Sequence, residues 1–187
     1  MNRTLVSLCA LLVLATPGLS VGQVTKNDPG TKLPLTPLGP TISGQRTVVT
    51  AGFVLDQLRV VVRDREHWVQ VWNHINSGPN SANAPPMPEI DFAREILIVA
   101  AMGFRPTSGY QIIIESATLF QSYPRVEVAV RSVENTKCGA FTVITSPIDI
   151  VRIPRTDRPV VFRETQIEAE CPKSINTWKI VPRRSWF

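Results

Sequence analysis

The chain has 187 residues, 43% of them hydrophobic, which is enough to bury one ordinary core and not two. Only 19% are charged and 16 are proline, a mix that argues against a coiled coil and against a long disordered chain. The formal charge of +5 is scattered, with no basic run longer than Arg183-Arg184, so it reads as solvated surface charge and not as a nucleic-acid site.

In chain order, "MNRTLVSLCALLVLATPGLSVGQ" places Arg3 ahead of an apolar run from Leu5 to Ala15, then Pro17-Gly18 and small residues at Ser20 and Gly22. This layout predicts a secretory signal peptide over residues 1–22, cleaved near Ser20 or Gly22. The run is shorter than the roughly 20 residues of a membrane-spanning helix, so no membrane span is expected. Cys9 lies inside the run behind Leu8 and is not read as a lipidation site. The expectation is an exported protein, periplasmic or secreted. Removal of the leader leaves Cys138 and Cys171, an even pair that an oxidising compartment would join as a disulfide. Closing that loop would stabilise the fold by roughly 3–4 kcal/mol through chain entropy. No Cys-x-x-Cys and no nearby His completes a metal site, and neither metal nor cofactor is expected.

Residues 23–46, rich in Pro, Gly and Thr, read as an extended linker ahead of one domain over 47–187. That domain begins with the β-branched runs "TVVTAGF" and "QLRVVVRD". Asp64 then caps a helix whose Trp68, Val71, Trp72 and Ile75 recur at helical spacing, with Gly78 as its stop. A surface loop, "PNSANAPPMPE", follows. The remainder is strand-like: "EILIVAAMGF", apolar on both faces and hence central, "GYQIIIESATLF", the cleanly alternating "RVEVAVRSV", "AFTVITSPIDIVRIP" and "PVVFRET". The tail adds a short predicted strand at Thr177 to Val181. Strands joined by short turns, with one amphipathic helix, predict an α+β, mainly β domain: an antiparallel sheet or sandwich.

"GFRPTSGYQIII" lacks both the glycine pattern and the following helix of a phosphate loop. Ser108 in "TSGY" does not fit a nucleophile elbow either. The stretch reads as a β-hairpin corner. Pro106 presets a turn position, and Gly109 supplies a torsion that a β-carbon would resist. Gly103 and Pro147 are read as further structural turn residues.

The segments "PEIDF", "GFRPTSGYQIII" and "TSPIDIVRIP" resemble the C-terminal domain of the PrcB family over roughly Leu58 to Phe162. That family's pattern is an Asp-Phe pair before a strand ending in Gly-x-Lys/Arg-Pro-Thr/Ser-x-Gly-Tyr, then Thr-x-Pro before a basic-Pro turn. The residue after its Thr-x-Pro is usually aromatic, and here it is Ile148. The resemblance implies an accessory subunit that stabilises a secreted or surface protease, and the chain is expected to be a non-enzymatic binding module.

His67 and His74, two helical turns apart, do not have metal-ligand spacing and read as solvated or core-edge histidines. Asp91 could act as a base, but reads as a turn cap or a partner of Arg94 or Arg105. Arg152, Arg155 and Arg158, with Arg163 near them, are the candidate anion-binding set for a cell-wall glycan, against a plainer role as edge-protecting charges. Arg105, Thr107, Ser108 and Tyr110 form the candidate partner-binding corner, since Tyr and Arg are enriched at interface hot spots. The alternative function classes are a small hydrolase using Ser108 or Asp91 with a histidine, and an anionic-glycan binder.

Overall fold

The computed structural model describes residues 28–39, 41–42, 45–46, 54–78, 81–135 and 139–169. The signal-peptide region, the run 47–53, both Cys138 and Cys171, and the strand expected at 177–181 lie outside these residues. The elements in chain order are β1 (Thr31–Leu33), β2 (Thr36–Pro37), β3 (Thr41–Ile42), β4 (Gln45–Arg46), β5 (Leu58–Val62), α1 (Arg65–Ile75), β6 (Glu95–Ala101), β7 (Tyr110–Phe120), β8 (Arg125–Glu134), β9 (Ile148–Pro154) and β10 (Val160–Glu168), with one 3₁₀ turn at Ser81–Asn83.

Two four-stranded sheets result, in the orders β1-β7-β8-β10 and β2-β9-β6-β5, and β3 pairs only with β4. Ile96, Ile98, Val151 and Ile153 of the second sheet meet Ile112, Ile114, Ala117, Val126, Val128 and Val130 of the first in one buried cluster. On the other face of the second sheet, Leu97, Val99, Ala101 and Ile150 pack against Trp68, Val71, Trp72 and Ile75 of α1. The layers are therefore sheet, sheet, helix: an α+β, mainly β sandwich. β6, apolar on both faces, lies inside its sheet with a core on either side.

The helix follows from its sequence. The Asp64 side chain accepts the His67 N–H at 2.8 Å, satisfying a donor that the first turn leaves free. Trp68 and Trp72 meet at 5.2 Å between ring centroids with their planes tilted by 56°, and the Trp68 indole donates to the Pro88 carbonyl at 3.0 Å. A buried indole needs such a partner.

Four expectations change. Part of the segment read as a linker is a strap over one side of the sandwich. β1 pairs with β7 (Thr31 opposite Leu119) and β2 with β9 (Thr36 opposite Arg152). Such short strands show no readable period, and Pro37 is tolerated because β2 is an edge. The run "AFTVITSPIDIVRIP" is a strand only from Ile148 onward. β10 pairs in parallel with β8, Val160 opposite Val126 through Glu168 opposite Glu134. No helical crossover is needed for this, because β9 in the opposite sheet makes the connection. Finally, β6 and β7 belong to different sheets, so residues 102–109 form no hairpin: they carry the chain from one sheet to the other.

Asp28 fastens the strap. Its carboxylate accepts from the Gln121 and Ser122 N–H groups at 2.7 and 2.8 Å, from the Ser122 hydroxyl at 2.9 Å, and from Gly30 N–H at 3.0 Å. Donation by the Ser122 backbone, then by Gly30, holds its pKa at about 2. A depressed carboxylate stabilises above its unfolded pKa and loses that contribution as pH falls through the folded one. Stability of the wild-type chain should therefore drop between pH about 4 and 2 more steeply than that of Asp28→Asn. Thermal unfolding followed at pH 2, 3, 4 and 7 reads the difference; parallel curves would remove Asp28 from the account.

Candidate functional site

One end of the sandwich is built from three loops bonded to one another. Arg105 and Thr145 exchange backbone hydrogen bonds at 2.8 and 2.9 Å, an isolated antiparallel bridge. The Thr145 hydroxyl donates to the Thr107 carbonyl at 2.7 Å. Ser108 N–H donates to the Phe141 carbonyl at 3.1 Å, and Phe141 N–H returns to the Ser108 Oγ at 3.0 Å. The third loop joins through Phe104 N–H on the Leu55 carbonyl (3.1 Å) and through Ser146, whose Oγ accepts from Val54 N–H (3.0 Å) and donates to the Val54 carbonyl (2.9 Å).

Two glycines permit this approach. Gly103 has φ +74°, and a β-carbon there would lie 2.7 Å from the Leu55 carbonyl oxygen. Gly109 is not in the left-handed region as the sequence suggested; a β-carbon there would lie 2.3 Å from the Asn135 carbonyl oxygen. Its requirement is space, and the torsional requirement sits at Gly103.

The stapled loops hold apolar side chains out in water. Phe141 is 83% exposed and Leu55 69%, with Phe104, Val143 and Ile144 about half exposed. Exposed apolar side chains are ordinary when scattered. Here backbone bonds tie together the three loops that carry them, so they share one end of the molecule. Below them, the Arg105 guanidinium lies 5.5 Å from the Tyr110 ring centroid, and Tyr110 packs on the inter-sheet core.

The corner expected to carry partner contacts is thus assembled, though with a different exposed surface. Arg105, Thr107 and Tyr110 are half-buried, and only Ser108 of the four is exposed. Pro147 helps close the end, its carbonyl accepting Met102 N–H at 2.9 Å. Sequence reading missed Phe141, Val143 and Ile144 because a short apolar run bears the same signal as a strand.

The other candidates are dispersed. Arg152 pairs with Glu95 at 3.4 Å. The Arg155 guanidinium donates to the Phe92 and Arg63 carbonyls and lies 3.6 Å from Asp157. For Arg158 the backbone is engaged, with N–H on the Thr156 hydroxyl at 3.2 Å and the carbonyl accepting from Arg63 at 2.9 Å. Arg163 meets Glu127 at 3.5 Å. The Glu127 carboxyl is lowered from its ordinary pKa, mainly by its hydrogen bond from Arg125. Asp91 caps its own turn through Ala93 N–H at 3.0 Å and pairs with Arg94 at 3.6 Å. His67 and His74 share a groove with Leu58, Val60, Gln70 and Val71, which contains neither Ser108 nor Asp91. Among the described residues, no group of three or more His, Cys, Asp or Glu could hold a metal ion. No helix among them is long and apolar enough to cross a membrane.

Residues 96–154 match the family model described as PrcB C-terminal. That segment is similar to the PrcB C-terminal domain family. The matched stretch begins in β6, ends with β9 and contains both loops that build most of the apolar end. No curated protein and no solved structure matches the chain.

Gly103→Ala should destabilise the domain by about 2–4 kcal/mol, combining left-handed strain with the clash at Leu55. Gly139→Ala, also left-handed but with no atom within 4 Å of the added carbon, should cost about 1 kcal/mol. Urea denaturation of both gives the difference, and equal costs would leave no role for the close approach.

Proposed function

We propose that this chain is an exported, non-enzymatic accessory module that binds a partner protease through its apolar end and stabilises it. The carrying observation is the set of exposed apolar side chains on mutually bonded loops, most of it inside the PrcB C-terminal segment. Rigid exposed apolar side chains gain by burial against a partner and lose little freedom on binding. The family match supports the protease as the class of partner, and the leader-like residues 1–22 support action outside the cytoplasm. The anionic-glycan alternative loses support, because the Arg152 and Arg155 guanidiniums already have protein partners.

Affinity capture from the producing cells separates the two candidate contact sets. The native domain should recover a protease. Phe141→Asp/Ile144→Asp should lose it while melting within about 2 °C of wild type, since both side chains are exposed. Arg105→Ala should retain most of the binding. Recovery of the same protease with the double aspartate variant would move the interface elsewhere.

The same reading makes Cys138 and Cys171 a disulfide. The parallel register supports it: Glu134 lies opposite Glu168, and Ala169 N–H donates to the Glu134 carbonyl at 2.8 Å. The two chain segments therefore leave the sheet side by side, each a few residues ahead of its cysteine. Thiol alkylation should label the secreted protein only after reduction, and reduction should cost about 3 kcal/mol of stability. Labelling of both cysteines without reductant would refute the bridge.

A further inference from the structure

Among the described residues, β5 is the outer strand of the second sheet and pairs only with β6. The direction of its backbone groups follows from its neighbours. Leu38 N–H bonds the Ile150 carbonyl at 2.9 Å, which turns Ile150 toward β2, and Met102 N–H bonds the Pro147 carbonyl at 2.9 Å. Alternation in an antiparallel ladder then points Ala101, Val99 and Leu97 at β5, opposite Leu58, Val60 and Val62. The N–H and C=O groups of Arg59 and Val61 are left facing outward. No backbone bond from another described element meets them.

Beside this edge runs a groove between β5 and α1. Leu58 and Val60 of the strand and Val71 of the helix give it an apolar lining, and His67, Gln70 and His74 give it polar groups. Among the described residues, no carboxylate, lysine or arginine lines it. The outer strand of the first sheet, β10, differs: Arg163 and Glu164 lie along it, the charged pattern that discourages strand pairing. β1 and β2 are too short to template a strand. Arg59 also braces the β5 edge, its guanidinium donating to the Ala101 carbonyl at 2.8 Å and pairing with Glu164 of β10 at 2.7 Å.

An open strand edge flanked by a helix suits one kind of ligand: an extended peptide that adds a strand and drops alternate side chains into the groove. We propose that this groove receives an extended segment of a protein partner, paired to β5 through Arg59 and Val61, with uncharged aliphatic side chains against Leu58, Val60 and Val71. Backbone pairing supplies the affinity, and the groove selects against charged side chains. Leu58 follows the exposed Leu55 closely in the chain, so the groove adjoins the apolar end, but the inference does not depend on that end being an interface.

The probe is a blocked peptide of alternating Val and Thr flanked by lysines, titrated into the chain from Gln23 onward, with amide NMR shifts as the readout. Saturable shifts should appear at Arg59, Val61, His67, Gln70 and His74. Val61→Pro removes one edge donor, and Gln70→Trp crowds the groove from the exposed face of α1. Each should weaken binding by about tenfold or more, whereas Phe141→Asp should leave it unchanged. Helical circular dichroism of each variant establishes that it has folded. Equal binding by both groove variants overturns the proposal, as do shifts confined to the apolar end. Pairing of two copies through β5 in place of the peptide overturns it too, as does binding that appears only after deletion of residues 170–187.

Discussion

A carboxylate buried between the two sheets carries much of the organisation. Asp149 has no solvent exposure, and its Oδ2 accepts the Ile114 N–H at 2.8 Å. Ile114 sits where the β7–β8 register shifts, between Ile114 and Ser116. A bulge frees a backbone donor from its ladder, and a buried donor without a partner is costly. An acidic side chain taken out of water is costly as well. Each group resolves the other's difficulty, and in doing so fixes one sheet against the other. The residues just before Asp149 then close the apolar end: Pro147 receives Met102, Ser146 holds Val54, and Thr145 bridges Arg105. One short stretch of chain thus sets both the sandwich and the surface beyond it.

The topology explains why the loops, and not the sheets, carry the candidate chemistry. The chain changes sheet between β1 and β2, between β6 and β7, between β8 and β9, and again between β9 and β10. Each change brings loop backbone to an end of the sandwich, where its polar groups need partners. Loops that satisfy one another there become rigid without entering a sheet. The exchange between Ser108 and Phe141 and the bridge at Arg105 and Thr145 are of this kind. Most pairings are long-range in sequence, as expected of a slow-folding β topology.

Local chemistry was legible in the sequence and pairing was not. The helix showed itself through the Asp64 cap, the Trp68–Trp72 face and the Gly78 stop, all decided within a few residues. β6 showed itself by being apolar on both faces, and β8 by its alternation. The break in pattern at "RPTSG" was legible from its Pro and Gly, but the hairpin read there does not form. Whether such a turn joins neighbours in one sheet or crosses to another depends on partners far along the chain, and no local rule supplies that. Gly109 illustrates the same limit: its need is for space beside Asn135, a neighbour only in the fold. Phe141 to Ile144 could not be told from a strand, since hydrophobic pattern does not say which side faces water.

The apolar end itself follows from these constraints. Loop residues free to hide their side chains would turn Phe141, Val143 and Ile144 inward, because burial of such groups is favourable. Phe141 is held by backbone bonds at both its N–H and its carbonyl, and Val143 N–H also donates to that carbonyl at 2.8 Å. Inward rotation would break those bonds. The Arg105 guanidinium lies over the Tyr110 ring, and Tyr110 packs on the inter-sheet core. Arg105, Thr107 and Tyr110 are half-buried, whereas Leu55, Phe141, Val143 and Ile144 are exposed. In the proposed role, an end kept apolar by bonds that oppose its collapse would meet a partner at little cost in ordering.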